Sequence, residues 1–174
     1  MKDRKLLNIE LGRISAAEYK ELPPSGLVVV LDNIRSAYNV GSAFRTADSF
    51  GIDKVFLCGI SAVPPSAEIH KSALGAEDSV PWEHVGDTLE AVRRLQADGY
   101  TVVAVEQTVH SVKLGAFQRE PGRKYALIFG NEVSGVRQDV VDASDLSLEI
   151  PQYGTKHSLN VSVSVGVVLW EMVR

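Results

Sequence analysis

The chain has 174 residues, 45% of them hydrophobic, and a formal net charge of −4. That is enough for one domain with its own core and too little for two of ordinary size, and the acidic balance supplies no global basic field, so RNA or DNA would need a local basic patch or a face assembled from several copies. The single cysteine, Cys58, excludes an internal disulfide and a multi-cysteine metal site, no stretch reaches the roughly 18 apolar residues of a membrane span, and the charged N-terminus lacks a signal-peptide core; a cytoplasmic protein away from membranes is expected.

Residues 1–26 read as an appendage to a domain spanning 27–174. Ser15-Ala16-Ala17-Glu18 has capping-box spacing and opens a short helix through Lys20, which Pro23-Pro24 stops. Arg4, Lys5, Arg13 and Lys20 either touch an anionic partner or form an ordinary solvated surface. Leu27-Val28-Val29-Val30-Leu31 is short, β-branched and bounded by turn residues, as a strand buried on both faces should be. A polar loop follows, and then Val40, Ala43, Phe44, Ala47 and Phe50 recur at helical spacing up to Gly51. Lys54–Cys58 is a second strand, so the domain opens strand, helix, strand, a unit that resolves as a parallel pair with a right-handed crossover. Cys58 lies inside that apolar run and suits a small buried hydrophobe.

His70 to Asp78 suggests one helical turn, and Pro81-Trp82-Glu83-His84 fits no element. Asp87 to Ala97 is an amphipathic helix ended by Gly99, Thr101–Val105 a strand, Lys124–Phe129 another, Gly135–Val141 a short helix, and Leu146–Ile150 a strand with one wet face. The last segment is ambiguous. Val161-Ser162-Val163-Ser164-Val165-Gly166-Val167 alternates with period two and is β-branched, which favours a strand, whereas Ser158, Ser162 and Gly166 form a four-residue stripe that suits a helix packed closely on another backbone.

Parallel strands would set their polar ends on one edge, where ligands of open α/β sheets bind. Those ends are Asn33–Arg45, Glu106–Thr108 and Gly130–Glu132, joined by the Pro151–Asn160 loop. One glycine, Gly41, follows the first strand, so the dinucleotide fingerprint is absent, and Gly130 to Gly135 lacks the Lys-Ser/Thr of a P-loop. His70, His84, His110 and His157 have no paired ligand spacing, and no metal site is expected. Taken singly, Arg45 reads as a solvated helix residue, Glu132 as a turn acid, and Ser158 and Asn160 as a cap or turn pair.

Together, Asn39-Val40-Gly41-Ser42-Ala43-Phe44-Arg45-Thr46-Ala47, Ile128-Phe129-Gly130-Asn131-Glu132-Val133-Ser134-Gly135-Val136 and Ile150-Pro151-Gln152-Tyr153-Gly154-Thr155-Lys156-His157-Ser158-Leu159-Asn160-Val161-Ser162-Val163 resemble the three ordered motifs of the SpoU (TrmH-type) branch of the SPOUT RNA methyltransferases. The resemblance implies a single α/β SPOUT domain with a mostly parallel sheet flanked by helices. It also implies a C-terminal deep trefoil knot, which would make the ambiguous last segment a helix, and S-adenosyl-L-methionine-dependent methylation of a ribose 2′-hydroxyl in RNA. Carried over residue by residue, it assigns Asn39, Arg45, Glu132, Ser158 and Asn160 to catalysis, and Glu106, Gln107, Gly130, Ile150 and Leu159 to holding the cofactor. Arg45 would either act as base with a phosphate relaying the proton or remain charged and orient that phosphate. A homodimer is implied, with the small-residue stripe and Trp170 as interface material, and tRNA is favoured over rRNA because a compact domain can grip an exposed loop. A SPOUT-fold binding protein without turnover and a different nucleotide-binding α/β domain are the rival readings.

Overall fold

The computed structural model describes residues 3–174. Seven strands are formed among them: β1 (Leu27–Asp32), β2 (Lys54–Cys58), β3 (Trp82–Val85), β4 (Tyr100–Val105), β5 (Val112–Lys113), β6 (Lys124–Gly130) and β7 (Leu146–Glu149). They join into one sheet in the order β3-β2-β1-β6-β4-β7-β5, and every pairing is parallel. The helices are α1 (Ala16–Lys20), α2 (Ala37–Ser49), α3 (Ala67–Ala73), α4 (Ala76–Ser79), α5 (Thr88–Ala97), α6 (Gln138–Ala143) and α7 (Val161–Val173). None is long and apolar enough to cross a membrane.

β1 explains its own composition. All six of its residues are buried: Leu27, Val29 and Leu31 join Phe44, Ala47, Val165 and Leu169 from α2 and α7, while Val28 and Val30 face Val92, Leu95 and Val140 from α5 and α6. With helices on both sides, no alternation of polarity is needed. On the second face, burial pushes the Cys58 thiol up to about 12, as expected of a small hydrophobe and not of a reactive cysteine.

α7 decides the ambiguous last segment in favour of a helix. Val161, Val165, Val168, Leu169 and Met172 are the buried set, a helical period, and burying them offsets the weak helix propensity of valine. Asn160 caps the helix by accepting from the Ser162 amide at 2.9 Å. The alternating valines that suggested a strand are therefore split between core and surface, with Val163 50%, Val167 38% and Trp170 61% exposed along one outer stripe.

Three other stretches differ from expectation. His70 to Asp78 belongs to two helices, α3 and α4, separated by Leu74 and Gly75 in left-handed conformation. Trp82–Val85 is an edge strand whose polar residues face outward, Glu83 bridging Lys54 and Arg94 at 2.7 Å each. The two-residue β5 was not foreseen at all. Helices α2 and α3 meet backbone to backbone at Gly41, where a Cβ would collide with Ser72 Oγ and the Ile69 carbonyl. The expected capping box of α1 is present, and the buried phenol of Tyr19 pins that helix to the domain by donating to the Ile52 carbonyl at 2.9 Å and the Ala47 carbonyl at 3.2 Å.

Candidate active site

Because every strand is parallel, the polar C-terminal ends of β1, β4, β6 and β7 do share one edge, and the loops leaving the last three line a cleft of about 990 Å³. Its shape depends on the 130–137 segment, which two carboxylates hold by neighbouring amides. Glu106, at the end of β4, accepts from the Val136 amide at 3.0 Å and from its own neighbour Gln107 at 2.8 Å. Asp32, fully buried at the end of β1, accepts from the Arg137 amide at 3.0 Å and from Asn33 Nδ2 at 2.7 Å. Its other contact is the buried Thr88 hydroxyl, 2.5 Å away. Gly130 permits the same closure: a Cβ there would overlap the backbone of Gly135 and Val136. Across the cleft Gln107 donates to the His157 carbonyl at 2.8 Å, tying the β4 loop to the loop before α7.

Three of the expected catalytic residues form one hydrogen-bonded chain. Asn39, in the first turn of α2 and only 8% exposed, donates from Nδ2 to Glu132 Oε1 and accepts at Oδ1 from Asn160 Nδ2, 3.2 Å away. Residues 93 and 121 positions apart thus meet through one side chain. Asn160 Oδ1 is committed to capping α7, so its amide group is turned toward Asn39 with little freedom.

The other expected residues divide. Glu106, Gln107, Gly130, Ile150, Ser158 and Leu159 all line the cleft, where half-buried Ile150 and the buried Leu148 and Val161 give an apolar floor beneath a polar rim. That combination suits a ligand with a flat apolar ring and charged ends. On the far wall, Glu149 is held below the usual carboxylate range by Lys113 at 2.6 Å and by the Ser111 hydroxyl. Arg45 is elsewhere. It lies two turns along α2, on a separate groove of about 630 Å³ that residues 12–15 of the N-terminal segment help to line; six residues of helix carry it about 9 Å along and about 120° around the axis from Asn39. Asp32, Thr88 and Arg137 were missed in the sequence. Asp32 ends a buried strand beside Asn33, a position that reads as a turn, and nothing local signals partners this distant.

A family model described as "SpoU rRNA Methylase family" matches residues 26–170. The chain is 36% identical over 157 residues to a 23S rRNA (guanosine-2'-O-)-methyltransferase from Nitrosomonas europaea, covering 88% of this chain and 58% of that relative. An AdoMet-bound rRNA methyltransferase from Sinorhizobium meliloti superposes with a TM-score of 0.79 at 27% identity, over 88% of this chain and 59% of that one. A TrmH/SpoU tRNA modifying enzyme from A. aeolicus does so with a TM-score of 0.78 at 25% identity, over 90% and 80%. The chain therefore spans less than two thirds of the first two. With a match over residues 26–170 that takes in all three motifs, the chain belongs to the SpoU rRNA Methylase family.

Proposed function

We propose that the chain is an S-adenosyl-L-methionine-dependent methyltransferase acting on a ribose 2′-hydroxyl of RNA. The observation that carries this reading is the Asn39–Glu132–Asn160 chain, which gathers the family's three motifs beside a cleft of suitable size and lining. The cleft fits the cofactor: the floor at Leu148, Ile150 and Val161 suits an adenine ring, and Gln107 and the backbone around Gly130 suit the ribose and the amino-acid end. Glu106 acts mainly in the wall, since backbone amides occupy both of its oxygens. Bound there, S-adenosyl-L-methionine supplies a methyl group already activated on a sulfonium.

The protein's remaining tasks are to hold the ribose oxygen in line with that methyl and to help remove one proton. Asn39, fixed at both ends, and Ser158 on the rim present polar groups to the ribose, with Glu132 and Asn160 setting the Asn39 rotamer. Arg45, whose guanidinium offers donors and no acceptor and so is a poor base, grips an RNA phosphate through which the proton leaves.

Arg45 lies away from this protomer's cleft, so the working enzyme is read as a homodimer in which Arg45 of a second copy completes the site. Support comes from the exposed Val163-Val167-Trp170 stripe of α7, whose Trp170 ring lies 6.3 Å from Phe50 at the end of α2. The knot belongs to the same reading and is supported by the return of the chain from β7, two strands beyond β6, to pack α7 on α2. Residues 1–26 are read as an addition to this domain, and the reaction is placed in the cytoplasm. For the RNA, the relative named for 23S rRNA favours ribosomal RNA over the tRNA expected from size alone; tRNA stays as the second reading because the A. aeolicus neighbour is named as a tRNA modifying enzyme.

The test pairs calorimetry with methyl transfer. The protein should bind S-adenosyl-L-methionine in preference to NAD or ATP and transfer labelled methyl to RNA from cells lacking the gene, and mapping the mark would name the RNA class. Arg45→Lys should keep cofactor affinity and lose most of the transfer. Cofactor binding without any transfer would instead support a binding protein.

A further inference from the structure

The groove that holds Arg45 has a second wall made by the N-terminal segment, and the one charged side chain of that wall is Arg13. Arg13, Ile14 and Tyr19 face Arg45, Asp48 and Ser79 across about 630 Å³ of open space. Tyr19 fixes this wall in place through its two hydrogen bonds to the domain. Arg13 lies within electrostatic reach of Asp48, whose carboxyl is raised by burial and drawn back down by the Arg13 charge. Asp48 is one helical turn beyond Arg45, so both guanidinium groups are presented over the same stretch of α2.

Both arginines are uncommitted. Among the described residues, Arg4, Arg94, Arg123, Arg137 and Arg174 are each paired with a carboxylate, whereas Arg13 and Arg45, like Arg35 and Arg93 outside this groove, are exposed and have neither an ion pair nor a side-chain hydrogen bond. In a chain of net charge −4, two free guanidiniums sharing one groove are a local departure from an acidic surface. The groove also runs well beyond the size of one phosphate ion, which suits a polyanion tracked along its backbone.

We infer that Arg13 is an RNA-phosphate contact: with Arg45 it grips adjacent phosphodiesters of the substrate strand, so the N-terminal segment is a wall of the RNA-binding groove. This rests on the RNA-methyltransferase reading above and adds to it a positioning residue outside the three motifs. Arg13 acts on binding and on the register of the strand, and Arg45 remains the residue nearest the chemistry.

The experiment titrates the full chain and its R13A and R13K variants with fluorescein-labelled oligo(U) across a range of KCl concentrations, with parallel methyl-transfer kinetics on RNA from cells lacking the gene. R13A should bind about tenfold more weakly, lower the slope of log K against log salt by about 0.7, and raise KM for RNA with kcat nearly unchanged. R13K should recover the salt slope and part of the affinity, because it keeps the charge and loses the fork, which separates a lost contact from a disturbed N-terminal segment. Inorganic phosphate at matched ionic strength should compete poorly, marking a polyanion site and not a free-anion site. Unchanged affinity and salt slope in R13A would overturn the inference, as would a wild-type chain that does not bind oligo(U), or oligo(U) fully displaced by phosphate. If the wild type binds RNA through Arg13 yet transfers no methyl group, the inference stands and the methyltransferase reading falls; if transfer proceeds with KM indifferent to Arg13, the reverse holds.

Discussion

Replacing Asp32 by asparagine tests whether the cleft is shaped by buried carboxylates. Asp32 is fully buried and takes three donors on two oxygens: the Thr88 hydroxyl at 2.5 Å, Asn33 Nδ2 at 2.7 Å and the Arg137 amide at 3.0 Å. An asparagine of the same shape keeps one acceptor oxygen. If that oxygen faces Thr88 and Asn33, its amide group confronts the Arg137 N–H; if it is turned over, it serves Arg137 and confronts Asn33. Either way one part-buried donor loses its partner, at about 1–3 kcal/mol, and the surviving bonds end on a neutral amide oxygen. A total near 3 kcal/mol follows, which for a chain of this size lowers Tm by roughly 6–12 °C. Scanning calorimetry reads the stability, and titration calorimetry should show weaker binding of S-adenosyl-L-methionine because the 130–137 segment lines the cleft. Asp32→Asn and Glu106→Gln should also be non-additive, since they hold the adjacent amides of Arg137 and Val136. A Tm within about 2 °C of wild type would refute the reasoning.

Gly130→Ala should cost more in binding than its single methyl suggests: the added Cβ forces Gly135 and Val136 away from β6, so cofactor affinity and methyl transfer should fall together, by calorimetry and labelled-methyl assay. Val167→Asp puts a charge in the middle of the exposed α7 stripe. It should leave cofactor binding intact while sedimentation shows a dimer shifted to monomer and transfer is lost; a monomeric wild type at micromolar concentration would remove the shared-site argument. Cys58 has a sign that can be worked out. Its folded thiol is raised to about 12, against about 8.5 unfolded, so its contribution is complete below the unfolded value and is lost as pH rises toward the folded one. Between about pH 7 and about pH 10 the wild type should lose about 2 kcal/mol more than Cys58→Ala, measured from urea midpoints.

Much of the frame could be read directly. The uninterrupted apolar run of β1 announced burial on both faces, and the helical spacing of Val40, Phe44 and Ala47 announced the face α2 sets on the sheet. The motif residues Asn39, Glu132 and Asn160 do meet. Other features were hidden for physical reasons. Valine at every second place from 161 to 167 satisfies a period of two by composition, and only the cover that α7 supplies to α2 makes the helix win. β3 and β5 are short edge strands with charged residues, which carry almost no hydrophobic signal. Asp32 and Glu106 look like loop acids because their partners are backbone amides 105 and 30 residues later, and an amide leaves no trace in a sequence. Arg45 shares a motif with Asn39, yet six residues of helix turn it to another face.

The place of β1 in the sheet has a consequence during synthesis. One edge is paired with β2, whose residues follow within one helix, but the other waits for β6, with Leu27 opposite Tyr125. At about 5–20 residues per second the ribosome needs on the order of 5–20 s to make that partner. Through that interval a strand of five aliphatic residues has one row of amides and carbonyls open to other nascent chains. Production of this protein should therefore be sensitive to chaperone supply and growth temperature well before the finished molecule shows any instability.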